Sequence, residues 1–99
     1  RWPHAQLNEA DIAPVRSDIP TLILTGEYDP TTPPEWGALI ATDLNSSYLF
    51  EFPGFGHGIV GTKNECANRI LLDFVQAPDT RPISSGCIDD LRPPIFYSP

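Results

Sequence analysis

The chain has 99 residues, 40% of them hydrophobic, with twelve prolines and a formal net charge of −7. That length holds one small domain at most, and an acidic balance with singly scattered Lys and Arg excludes a cationic stripe for phosphate backbones or anionic lipid. Nucleic acid and membrane partners are not expected: no stretch approaches the length of a transmembrane helix, and RWPHAQLNEAD carries no apolar signal core.

Residues 1–20 hold Pro3, Pro14 and Pro20 and no sustained hydrophobic period. They read as an extended lead-in with a helical turn around Ala5 to Ala10, with Trp2 as a core residue and His4 exposed. Thr21 to Thr25, TLILT, lies between Pro20 and Gly26 and is apolar without polar alternation. Such a strand is buried on both faces, as in a parallel sheet covered by helices on each side. The loop after it delivers Asp29. Pro33-Pro34-Glu35 then opens a helix of roughly ten residues, because proline is tolerated in the first turn and an acid is favoured near the positive end of the dipole. Thr31 or Thr32 is its candidate cap, and Trp36, Leu39, Ile40 and Leu44 recur at helical spacing.

Ser47 to Phe52, SYLFEF, is the second strand, with Tyr48, Phe50 and Phe52 on one face and Leu49 and Glu51 on the other. It breaks at Pro53-Gly54, and the following GFGHG turn delivers His57. Strand, helix and strand at this spacing form a βαβ unit, expected to be right-handed. Asn64 caps a further helix whose apolar stripe is Ala67, Ile70, Leu71, Phe74 and Val75, and Pro78 stops it. The tail, residues 78–99, reads as irregular. Cys66 and Cys87 are too few for a zinc site without further ligands. A disulfide is the use their number favours, and a tail doubling back along the helix is long enough to make it. Such a bridge implies an oxidising compartment and contributes on the order of 3 kcal/mol by constraining the unfolded chain. Asn45-Ser46-Ser47 matches the N-glycosylation pattern, a match that arises often by chance.

The fold expected is α/β, with residues 1–20 as lead-in, 21–77 as a βαβα part and 78–99 as tail. Two parallel strands are too small a sheet to be stable alone, yet TLILT demands neighbours and cover. The chain is therefore expected to be the C-terminal part of a larger α/β protein, or to complete its sheet by association.

Loops at the carboxyl ends of parallel strands are where α/β proteins hold their chemistry. An acid that keeps one imidazole nitrogen protonated lets the other accept a nucleophile's proton, and the order acid then histidine is that of a Ser-Asp-His hydrolase. Taken singly, Asp29 before Pro30 is an ordinary turn initiator and His57 an ordinary surface residue of a glycine-rich loop. Taken together after consecutive strands, they point to catalysis. Glu27 and Glu51 read as solvated carboxylates, Asp89-Asp90 carries no convincing cation site, and neither metal nor cofactor is expected. Phe55 beside His57 is explained equally as a wall of the site and as core.

TLILTGEYDPTTPP followed by FPGFGHG resembles the C-terminal end of α/β-hydrolases of the proline iminopeptidase and tripeptidyl aminopeptidase-like (TAP-like) type. The resemblance runs from about Pro20 to Cys87, because CANRILLDFV and SSGC are similar to the secreted TAP-like branch. It implies Asp29 as triad acid, His57 as triad base, a Cys66–Cys87 disulfide, and an exopeptidase acting on peptides. One part of the pattern is missing: no Gly-x-Ser-x-Gly elbow occurs, and Ser17, Ser46, Ser47, Ser84, Ser85 and Ser98 lie in other contexts. Alone, the chain is expected to be inactive. Its expected partners are a peptide or ester substrate in the complete enzyme, and the N-terminal part of the fold or a second copy meeting the sheet edge. The alternatives are a non-catalytic binding module and an esterase or lipase of the same fold.

Overall fold

A computed structural model describes residues 2–61, 63–92 and 95–98. Two parallel strands, β1 (Thr21–Gly26) and β2 (Ser47–Phe52), form the sheet, paired in register from Thr21 with Ser47 to Gly26 with Phe52. Between them runs α2 (Pro34–Asp43), after β2 comes α3 (Glu65–Gln76), and a single short helix, α1 (Glu9–Ile12), precedes β1.

The helices cover opposite faces of the sheet. On one face Phe50 and Phe52 of β2, with Leu22, Leu24 and Tyr48 beside them, meet Cys66, Ala67 and Ile70 of α3. Phe52 and Ile70 are fully buried. The other face carries Ile23, Thr25 and Leu49, and there α2 docks through Gly37, where an added Cβ would stand 2.5 Å from Thr25 Cγ2 and 3.3 Å from Ile23 and Leu49 carbons. The alternation expected in SYLFEF holds, since Phe50 and Phe52 are buried while Leu49 and Glu51 point to the α2 side.

Several expectations are corrected. Trp36, Leu39 and Ile40 do not form a buried stripe, as all three are more than half exposed and only Leu44 is buried. With no side chain at position 37 the helix backbone settles directly on the sheet, and the larger residues turn outward. Neither Thr31 nor Thr32 caps α2: its N-cap is Pro33, with no side-chain hydrogen bond. Trp2 is 87% exposed rather than core, because the lead-in runs outside the packed layers. The helical turn there lies at Glu9–Ile12, closed by an Asn8 and Asp11 capping box. Asn64 caps α3 as expected, accepting from Ala67 N–H at 3.0 Å. Val75, placed in the buried stripe, is exposed near the helix end.

The tail is not irregular throughout. Ile83–Asp90 winds into a 3₁₀ helix on α3. Two fastenings hold it: the Cys66–Cys87 disulfide, with a Cα separation of 5.7 Å, and Asp73, whose Oδ2 accepts from the Ser84 hydroxyl at 2.6 Å and the Ser84 N–H at 2.9 Å. Arg81 lies over the Phe50 ring, 4.9 Å from its centroid. Among the described residues neither strand has a second neighbour, so the sheet has two free edges. No described helix is long and apolar enough to cross a membrane.

Candidate active site

Gly26 ends β1 where there is no room for a side chain, since a Cβ would fall 2.6 Å from Phe55 O and closer still to Gly56 O. This close approach sews the loop after β1 to the loop after β2. Glu27 N–H donates to Phe52 O at 3.1 Å and Tyr28 N–H to Phe55 O at 3.0 Å. Glu27 is exposed, as expected of a solvated carboxylate, and its side chain also accepts from Gly54 N–H at 2.7 Å, clasping the two loops. Gly54 adopts φ 78° and Gly58 φ 80°, backbone angles that L side chains rarely adopt. Phe55 packs edge-on against Phe52, with centroids 6.3 Å apart, which gives it a core contact.

Asp29 is only 8% exposed. Its Oδ1 accepts from the backbone N–H groups of Thr31 at 2.8 Å and Thr32 at 3.0 Å. Its Oδ2 accepts from the Thr32 hydroxyl at 2.7 Å and faces His57 Nδ1 at 2.9 Å. Burial by itself would raise the carboxyl pKa. The donors outweigh it: the Thr32 N–H and hydroxyl, then His57 and the Thr31 N–H, hold the group well below the usual carboxylate range. Asp29 is an anion at neutral pH. An acceptor-only carboxylate against Nδ1 assigns the imidazole proton to that nitrogen and leaves Nε2 as the acceptor. The His57 side chain is 59% exposed, so the imidazole is open while the carboxylate it faces is enclosed.

The other candidates lie apart or lack partners. Cys66 and Cys87 are joined to each other. Glu51, His4, Asp89 and Asp90 are exposed, and no group of three ligating side chains is found among the described residues. Thr32 is the residue that sequence reasoning misplaced. Its signal is the Asp-x-x-Thr spacing, which lets a hydroxyl return to the acid three positions earlier as readily as it caps the following helix.

An acid and a base joined at the carboxyl ends of adjacent parallel strands, with helices on both faces, is an arrangement of the α/β-hydrolase type. The family described as "TAP-like protein", an α/β-hydrolase family, matches residues 1–87, and the chain belongs to it. Among curated proteins it is similar to a bifunctional esterase/perhydrolase of Acinetobacter calcoaceticus, 36% identical over 61 residues, which is 61% of this chain and 22% of that protein. The chain thus spans about a fifth of the length of the curated relative it matches. No solved structure matches significantly.

Proposed function

We propose that this chain is the C-terminal part of a secreted serine hydrolase, an exopeptidase, and supplies the acid and base of a Ser-Asp-His triad. The observation that carries the reading is the 2.9 Å contact between His57 Nδ1 and the enclosed Asp29 carboxylate. Asp29 holds the tautomer and stabilises the imidazolium that forms. His57 Nε2 takes the proton of a serine supplied from outside this chain and returns it to the leaving amine. The nucleophile and its oxyanion-hole donors lie elsewhere in the fold, so the isolated chain is inactive. Membership of the TAP-like family supports peptide chemistry, and the disulfide supports an oxidising compartment. Residues 21–77 form the hydrolase part proper, with 1–20 leading in and 78–99 as the tail.

One observation favours a second reading, an esterase: the curated relative is an esterase/perhydrolase, and an Asp-His pair does not report the acyl leaving group. Joining the chain to a segment bearing a Gly-x-Ser-x-Gly elbow and assaying aminoacyl p-nitroanilides against short-chain p-nitrophenyl esters separates the two. Turnover of the anilides is expected. His57→Ala and Asp29→Asn should each lower kcat, the latter by about 10³–10⁴-fold. Undiminished activity in either variant rejects the triad assignment.

A further inference from the structure

We infer that Thr32 is a positioning residue for the acid–base pair, its hydroxyl holding both the Asp29 carboxylate and the Nδ1–H of His57. The inference rests on the triad reading, and three distances carry it. Thr32 Oγ1 lies 2.7 Å from Asp29 Oδ2, His57 Nδ1 lies 2.9 Å from the same oxygen, and Oγ1 to Nδ1 is 3.3 Å. The three atoms form a closed triangle. Oδ2 is an acceptor only, so it takes both the hydroxyl proton and the Nδ1 proton. Once its proton is committed to Asp29, Oγ1 turns a lone pair toward Nδ1–H and becomes a second, weaker acceptor for it. The Nδ1–H of the imidazole is then held by two acceptors rather than by one.

The same residue fixes the acid. Thr32 gives Asp29 a backbone N–H to Oδ1 at 3.0 Å and a hydroxyl to Oδ2 at 2.7 Å, so one residue grips both carboxylate oxygens. With the Thr31 N–H also on Oδ1, the carboxylate cannot rotate without breaking bonds at both oxygens. Thr32 is itself held. Pro33 follows it and restricts its backbone to the extended region, and Pro33-Pro34 leads into α2, where Trp36 N–H donates to Pro33 O at 2.9 Å. A purely structural role is the competing explanation for a threonine in front of a helix. The hydroxyl is spent on Asp29, however, and α2 has no side-chain cap.

The test uses Thr32→Val, which keeps the shape and removes the hydroxyl, and Thr32→Ser, which restores it. In the chain as it stands, ¹⁵N-edited NMR of His57 should show an Nδ1-protonated ring with a downfield, slowly exchanging Nδ1–H in wild type and in the Ser variant. In the Val variant that proton should exchange at least tenfold faster. In the hydrolase completed with its nucleophile segment, Thr32→Val should lower kcat at least tenfold with KM within twofold, and Thr32→Ser should recover most of kcat. A Val variant whose Nδ1–H exchange and kcat match wild type overturns the proposal even where His57→Ala abolishes activity, and the triad reading then stands without it. If His57→Ala and Asp29→Asn stay active, the triad reading fails, and the NMR comparison alone decides whether Thr32 holds the imidazole. Should the Val variant not fold by circular dichroism, Thr32→Ala is read against Thr32→Ser in the same two measurements, with the same outcomes deciding.

Discussion

Asp29 and Asp73 are carboxylates whose environments favour the charged form, and both matter for behaviour in acid. Asp29 is lowered by its four donors against the opposing effect of burial. Asp73 is lowered by the Ser84 hydroxyl and N–H, with burial opposing and the Ile83 N–H adding to the effect. A carboxyl that binds its proton less tightly folded than unfolded contributes stability that is complete above the unfolded value, about 3.9. That contribution is lost as pH falls through the depressed folded value, so stability rises with pH across this window. Asp73→Asn removes one such group outside the site. Its melting temperature should fall less steeply than that of wild type as pH is lowered from 5 to 2, when both are followed by circular dichroism. Equal slopes would show that the Ser84 contacts do not discriminate between charged and neutral Asp73.

At the scale of elements, the docking of α2 through a glycine makes a sharp demand. Gly37→Val places a branched side chain against Thr25, Ile23 and Leu49 and should cost about 1–3 kcal/mol in chemical denaturation, as overpacking does. An unchanged midpoint would mean that α2 is not seated on β1 and β2. The tail makes a separate demand: replacing both Cys66 and Cys87 by Ser should cost about 3 kcal/mol, because the bridge closes a loop over a sequence separation of 21. The strands and α3 were legible because their signals are local: TLILT between a proline and a glycine, the alternation of SYLFEF, and Asn64 ahead of a 3.6-residue stripe. The α2 face was not, since periodicity identifies which residues share a face but not whether anything covers it. Trp36, Leu39 and Ile40 keep helical spacing and still face outward. The pairing of Asp29 with His57 was legible from their residue types in strand-end loops, whereas the Thr32 contact depends on which of two partners a short hydroxyl reaches. The 3₁₀ tail escaped because its sequence lacks a helical period, and its order comes from the disulfide and Asp73.

For the molecule as a whole, the accessible surface of 7771 Å² exceeds the roughly 5,600 Å² expected of a folded monomer of this mass. The Cα radius of gyration, 16.4 Å, likewise exceeds the roughly 13 Å typical of this length. The excess includes an apolar groove between the lead-in and α2, where Ile12, Val15, Leu39 and Ile40 are exposed. Surface of this kind, beside two free sheet edges, favours association. Static light scattering of the isolated chain should therefore report defined oligomers at micromolar concentration, and addition of the complementary part of the fold should convert them to a one-to-one complex. A stable monomer that ignores that part would count against the C-terminal-portion reading.

The bonds between the loops after β1 and β2 have a consequence for engineering. Since Glu27 and Tyr28 are tied to Phe52, Gly54 and Phe55 by hydrogen bonds within the chain, Asp29 and His57 travel as a preassembled pair. On the triad proposal, a hydrolase cut upstream of Thr21 should regain turnover once its halves assemble and any self-association of this chain is undone, with no slower phase for aligning His57 on Asp29. That is a property wanted in a split reporter, whose signal then does not wait on alignment within one half.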